Sequence, residues 1–266
     1  MFALIRMWVF FKKKAMKKLL IILFTVFIFI SWFTLDESKG YEVEYRVELK
    51  NSPSENSKPR SSAILKVREQ IDNLRLILKS SGQRGVFKVL EEMSISHNDR
   101  LMKRIALSAL NLNSDFYSSV ASNESIRVKE FDGVKYGIKS QMSDIQWNLT
   151  SEKKVVSGYT CYKALTTTKF TDRKGQTSNI EIIAWYAPTL SLPFGPKNYG
   201  GLPGLILELH EGEDRISYYV EKILLDKKIT DKELSMPKVD RVVSEQEYLN
   251  IVNNISTKFD NYLKKN

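Results

Sequence analysis

The chain has 266 residues, 41 basic against 31 acidic side chains, a formal charge of +10 and a single cysteine. That length can bury a sizeable core without covalent staples, and one thiol excludes an internal disulfide framework. The charge is concentrated at the start: the first 40 residues hold seven Lys/Arg and two Asp/Glu, leaving 34 against 29 elsewhere and no Lys/Arg stripe, which excludes a nucleic-acid-binding class.

Arg6, Lys12, Lys13, Lys14, Lys17 and Lys18 precede an apolar run from Leu19 to Phe33, broken only by Thr25 and Ser31. A basic stretch followed by an apolar one is the secretory signal pattern. Met16 offers a second, more compact start. Ser38-Lys39-Gly40 puts small residues where a signal peptidase reads them, so residues 1–40 are expected to be a signal peptide or, if retained, an N-terminal membrane anchor. No cysteine lies near the run, which argues against a lipidated N-terminus. Residues 41–266 are then expected to form one β-rich domain.

Tyr41, Val43, Tyr45, Val47 and Leu49 alternate with charged residues, the period of a half-buried strand. Asn51–Arg60 reads as a polar loop, and Ile64–Leu74 fits helix or strand. Leu74, Leu76 and Leu78, a turn at Ser80–Gln83 and the run Gly85–Leu90 predict a hairpin. Met102, Ile105, Ala106, Ala109 and Leu110 recur at helical spacing, predicting a short middle helix over 98–110. Strands are expected at 116–120, 125–131, 134–140, 145–150, 159–170, 180–186, 205–209 and 215–225, with turns at Asp132-Gly133, Lys174-Gly175 and Glu211–Asp214. Ser244-x-x-Glu247 is a capping box, and Tyr248, Ile251, Val252, Ile255, Phe259 and Tyr262 then share one helical face. No βαβ alternation occurs. The fold class expected is mainly β (α+β): an antiparallel sheet, curved or partly closed, with the middle helix and a C-terminal amphipathic helix.

Little in the sequence carries recognisable chemistry. His97 and His210 lie far apart with no metal-ligand spacing, and Glu211, Glu213 and Asp214 lack the calcium-loop pattern, so no metal and no cofactor is expected. Cys161 could act as a nucleophile with His210 as base, but no orienting group or oxyanion hole is evident. A lone thiol in mid-strand reads as a small buried hydrophobe. Four of the seven prolines and four of the twelve glycines fall between Pro188 and Gly204. This corner sets a backbone path, with Pro203-Gly204 expected as the centre of a type II turn. Asn198 and Tyr199 lie inside it and are the candidates to face a ligand, Tyr199 being expected to stand outside the core. Trp147, Tyr159, Trp185, Tyr186, Tyr199, Tyr218 and Tyr219 would line a binding surface if they shared one face. Otherwise they are core and cross-strand pairs, and Trp185 is expected to be structural.

Several of these stretches carry a resemblance. Gly201-Leu202-Pro203-Gly204-Leu205-Ile206 resembles the signature of the GLPGLI family of exported Bacteroidetes-type proteins. Gly158-Tyr159-x-Cys161-x-Lys163-Ala164, Trp185-Tyr186 and Gly195-Pro196 resemble its other motifs, over roughly residues 145–220. The resemblance implies a structural role for these residues and brings no established activity. It also implies a strand-rich organisation similar to the bowl-shaped N-terminal module of some secreted glycan-cleaving enzymes. The function expected is a non-enzymatic binding or accessory module of the periplasm or cell envelope, with an envelope ligand or protein as partner and membrane contact only through a retained N-terminal segment. The alternatives are a hydrolase whose carboxylates cannot be recognised in sequence and a membrane-anchored structural protein.

Overall fold

The computed structural model describes residues 40–50, 61–90, 96–171, 176–212 and 215–265, and within these the side chains of 97, 170, 171 and 259–265 are left aside. The leader and the turn expected at Lys174-Gly175 lie outside the described residues. A compact unit begins at Gly40.

In chain order its elements are β1 (Gly40–Leu49), α1 (Ser62–Asp72), β2 (Arg75–Ser81), β3 (Arg84–Val89), α2 (His97–Ala109), β4 (Asp115–Ser119), β5 (Glu124–Phe131), β6 (Val134–Gln141), β7 (Asn148–Val156), β8 (Tyr159–Thr171), β9 (Thr177–Ala187), β10 (Leu205–Glu211), β11 (Ile216–Lys227), α3 (Asp231–Leu234), β12 (Arg241–Ser244) and α4 (Glu245–Lys265). All twelve strands form one open sheet in the order β12-β6-β5-β4-β3-β2-β1-β11-β10-β9-β8-β7. Every pairing is antiparallel except that of β12 with β6. The expected fold class is therefore the observed one, with the sheet left open. β1 takes in Gly40, which pairs with Ser81 and Lys227, so the strand starts inside the segment assigned to the leader.

The ambiguous stretch before β2 is helix: Ser61 accepts from the Ile64 amide as N-cap, and Val67 and Ile71 turn toward the core one turn apart. The strand expected from Ile145 starts later, because residues Met142–Asp144 form a short 3₁₀ turn. Asp132 and Gly133 both have positive φ, as a two-residue hairpin requires. At the C-terminus Ser244 and Glu247 exchange the two capping-box bonds. Tyr248 is then buried against Tyr136 and Val243, with Ile251 and Val252 beside it.

Because paired residues share a face and neighbours alternate, register assigns each side chain to one of two faces. Val43, Tyr45 and Val47 of β1 lie with Tyr218 and Val220 of β11 and Leu209 of β10 on a buried face. Ile71 of α1, Ala106 and Leu110 of α2 and the corner residues Leu190, Leu192, Phe194 and Leu202 pack into the same core. The corner is fixed by backbone bonds from Leu205 to Leu190 and from Ile206 to Phe194, each 3.0 Å. The buried Tyr45 hydroxyl donates to the Ile206 carbonyl at 2.7 Å, tying β1 to the glycine–proline motif.

The type II turn does not form. Gly204 has φ 159°, and its amide bonds to the Leu202 carbonyl two residues back. Glycine is needed there for a different reason: a Cβ would collide with the backbone carbonyl of Ala187. Gly204→Ala is therefore expected to cost about 1–3 kcal/mol through overpacking against a rigid neighbour. Urea unfolding checks this, and an unchanged midpoint would mean that the corner yields freely.

Candidate binding face

The two faces of the β7–β1 half of the sheet differ in kind. The helices pack on β1, β2, β3, β6 and β12, and the corner covers one face of the remaining strands. On the opposite face, register sets Lys163 (β8), Trp185 (β9), Glu208 (β10), Tyr219 (β11) and Arg46 (β1) in one cross-strand row. The adjacent row carries Ile183, His210, Ser217 and Glu48. At about 4.8 Å per strand, Trp185 and Tyr219 stand roughly 10 Å apart with Glu208 between them.

These side chains form a continuous network. Lys154 on β7 donates to Glu208 at 2.6 Å and lies 4.3 Å from the centroid of the Trp185 ring. His210 meets Glu208 through Nε2 at 2.5 Å and Ser217 through Nδ1 at 2.8 Å, and its ring stands edge-on to Tyr219. Arg46 lies 4.5 Å from the Tyr219 centroid and pairs with Glu48 and Glu221. Burial pushes the Glu208 carboxyl up, but hydrogen bonds from His210 and Lys154 outweigh it and hold it below the usual carboxylate range. Both cations thus cover aromatic rings while their charges are satisfied by carboxylates.

Ser217, His210 and Glu208 meet in the order of a hydrolase triad, a constellation that sequence reasoning missed. The spacing Glu208-x-His210 did place those two on one face, but the pairing of β10 with β11 that brings Ser217 to them is not legible in sequence. The arrangement lacks what acyl transfer needs. Ser217 is only 4 % exposed and is the second residue of β11, paired on both sides, so nearby amides serve the ladder instead of an oxyanion. The expected alternative partner fails too: Cys161 is buried, and desolvation pushes its thiol up to about 11.

Tyr199 corrects the expectation that it stands outside the core. It is buried on the corner side, its ring edge-on to Trp147 and its hydroxyl bonded to Glu211. Asn198 is half-buried. Between them and β10, Lys197 donates to both Glu211 oxygens at 2.9 and 2.8 Å. Lys197 occupies the left-handed region at φ 56° and is buried, which pushes its ammonium down against the opposing pull of Glu211. The space beside it amounts to about 10 Å³, room for no more than a water, so this cluster is a clamp on the corner. Trp185, expected to be structural, is half-buried and packs against the core cluster from the opposite face. The aromatics therefore do not share one surface: Tyr186, Tyr199 and Tyr218 face the core, and Trp185 and Tyr219 face away from it.

Of the other motif residues, Gly158 makes the turn between β7 and β8 with Ser157, and Tyr159 and Ala164 pack with the core cluster. Lys163 pairs with Glu152 at 3.0 Å. Gly195 and Pro196 lie in the corner, where a Cβ on Gly195 would meet Ile206 at 2.7 Å. Gly201, Leu202, Pro203, Leu205 and Ile206 complete the corner and lead into β10.

The model of a protein family of unknown function, Porph_ging, matches residues 171–208. The matched segment holds β9, the whole corner and the start of β10, including Trp185 and Glu208, while His210 and Ser217 fall beyond it. No curated protein matches the sequence. Among solved structures, PNGF-II in its C2 crystal form is similar in fold with a TM-score of 0.52 and 13% identity, over 81% of this chain and 33% of that one. The P21 form gives a TM-score of 0.51, again at 13% identity, over 80% and 33%. This chain thus spans about a third of the length of PNGF-II, and the likeness is one of fold.

Lys197→Met should destabilise the fold by about 3–5 kcal/mol, because Glu211 is left buried without a counter-charge. The double variant Lys197→Met/Glu211→Leu should recover most of that loss, and a denaturation double-mutant cycle measures both. A second expectation concerns acid. The folded carboxyl of Glu208 ionises below its unfolded value of about 4.3, so its stabilising contribution is complete above that pH and lost as pH falls through the folded value. Glu208→Gln should therefore flatten the acid limb of the stability curve below about pH 4.5; an unaltered limb would show that the network adds nothing.

Proposed function

We propose that this chain is a non-enzymatic binding or accessory module of the cell envelope, exported by its N-terminal segment, and that it takes a carbohydrate on the sheet face that carries Trp185 and Tyr219. The observation behind this reading is the arrangement of that face. Two half-buried aromatic rings about 10 Å apart are separated and flanked by carboxylate, imidazole and guanidinium groups already held in place by one another. A sugar offers the matching mixture, an apolar C–H face for the rings and a rim of hydroxyls for planar charged groups. Cross-strand neighbours hold the rings in place, and a sugar that stacks on them displaces the Lys154 and Arg46 groups that lie over them.

Catalysis finds less support. The Ser217–His210–Glu208 chain lacks access and an oxyanion hole. Among the described residues no group of three or more His, Cys, Asp or Glu side chains could hold a metal. Among those residues, too, no helix is long and apolar enough to cross a membrane, and the apolar run Leu19–Phe33 lies outside them.

An array of immobilised oligosaccharides, probed with the full chain, tests this reading. Wild type is expected to bind a defined subset, and Trp185→Ala and Tyr219→Ala are each expected to lower that binding at least about tenfold, equivalent to ~1.4 kcal/mol. Thermal melting should show both variants folded, with a lower melting temperature for Trp185→Ala, since both rings are half-buried and Trp185 also packs against the core. Absence of binding by the wild type, or undiminished binding by folded Trp185→Ala, would overturn the assignment.

A further inference from the structure

The helices α1 and α2 present a second surface, on the opposite side of the sheet from Trp185. Both pack inward through Ile71, Ala106 and Leu110. Outward, large aliphatic side chains stand in solvent: Leu65 of α1 is 53% exposed, and Leu101 and Ile105 of α2 are 50% and 44% exposed, whereas the exposed Ile64 continues the inward stripe of Val67 and Ile71 at its end. A helix that has already buried one apolar stripe gains nothing in water by carrying another.

The cations around these residues identify what would cover them. At about 100° per residue, Arg100, Leu101, Arg104 and Ile105 fall within about 140° of the α2 circumference, the sector facing away from Ala106 and Leu110. No acid lies in that sector, because the one acid of α2, Asp99, falls outside it and bonds Ser96. Lys66 follows Leu65 directly on α1. Lys66, Arg100 and Arg104 form no ion pair among the described residues. On the opposite face of the sheet, by contrast, Arg46, Lys154 and Lys163 are each paired with a carboxylate. Glu69 and Asp72, the acids of α1, follow Leu65 by four and seven residues and so lie on its side of that helix, which leaves α2 as the acid-free part of the surface.

We propose that the outer surface of α2 is a docking surface for an anionic lipid bilayer. Leu101 and Ile105 enter the boundary between headgroups and acyl chains, and Arg100 and Arg104 lie along the interface on lipid phosphates. Unpaired guanidinium groups alternating with aliphatics, with no acid among them, suit a surface of dense negative charge over hydrocarbon. Contact there leaves the Trp185 face directed away from the membrane. The inference is independent of the carbohydrate reading, and either can fail without the other.

The test uses the full chain. A cysteine is introduced at Leu101, or at Val155 on β7 as a control that is equally open to solvent, and labelled with an environment-sensitive fluorophore. Cys161 is buried and leaves the introduced thiol as the reactive one. The probes are vesicles of phosphatidylcholine alone and of equimolar phosphatidylcholine and phosphatidylglycerol. The label at 101 is expected to shift to the blue with the anionic vesicles only, to revert in high salt, and to stay unshifted at 155. Arg100→Glu with Arg104→Glu should lower the affinity measured by that shift by about tenfold or more, at unchanged melting temperature. No shift at 101 overturns the proposal. So does an equal shift at both positions, which would report adsorption of the chain through its N-terminal segment. A shift at 101 that grows with protein concentration without vesicles would assign the surface to a second copy of the chain and overturn it as well.

Discussion

The buried pair of Lys197 and Glu211 is the contact on which the two-sided character of the sheet depends. It joins the irregular corner between β9 and β10 to the last residue of β10. A connection of this length without regular structure is unusual in a compact domain and must find partners for its backbone elsewhere. Here Trp147 donates to the Gly200 carbonyl, Gly201 to that of Pro193, and Ile206 to that of Phe194. A buried ion pair adds little net stability, because desolvation opposes the Coulomb gain. What it does is favour one arrangement: Lys197, in the left-handed region, brings its ammonium to both Glu211 oxygens, and Phe194, Tyr199 and Leu202 are buried in the core beside it.

Once the corner, α1 and α2 have taken one face, the other is covered at β2 and β3 by α3 and must satisfy water along β7 to β1 without a covering element. It does so by shielding its own apolar surface. The Lys154 ammonium lies over Trp185 and the Arg46 guanidinium over Tyr219, so the rings are half-buried while the charges stay paired with carboxylates. The same network explains how Glu208, His210 and Ser217 can be buried on a face without a lid: their hydrogen bonds run to one another and to Lys154 instead of to solvent. A catalytic serine would need the reverse, an accessible hydroxyl and idle backbone amides.

Much of the fold was legible because period alone decides it. The alternation in β1, the helical spacing over 98–110, the Asp132-Gly133 turn and the Ser244 capping box each specify local structure without reference to the rest of the chain. The sides of the sheet were not legible. β10 reads Leu-Ile-Leu-Glu-Leu-His-Glu and is buried throughout, so its pattern gives no sign of which residues look outward, and a bulge between Ile206 and Glu208 reverses the parity. Tyr199 was misjudged for a related reason. A tyrosine among glycines in a loop resembles a surface residue, yet this loop folds back onto the core, and its neighbour Lys197 supplies the partner for an acid on another strand. The pairing of β12 with β6 in parallel was hidden as well, since four residues carry no periodic signal.

The separation of the two surfaces has a physical consequence for how the molecule can be dissected. The rings of Trp185 and Tyr219 lie on one face of the sheet, whereas α1 and α2 pack on the other through residues such as Ile71 and Ala106. Between them stands a layer of fully buried side chains, Tyr45, Leu76 and Tyr218 among them. Substitutions on exposed or half-exposed positions that share no partner are additive to within a few tenths of a kcal/mol, about 0.3–0.5. Changes at Trp185 and at Arg100 should therefore combine without coupling. The clamp residues differ, because Glu211 reaches Lys197, Tyr199 and, through its field, Tyr218 in the middle of that layer. A change at Lys197 is felt on both sides, which makes the corner a determinant of the whole fold and the two outer surfaces separable parts of it.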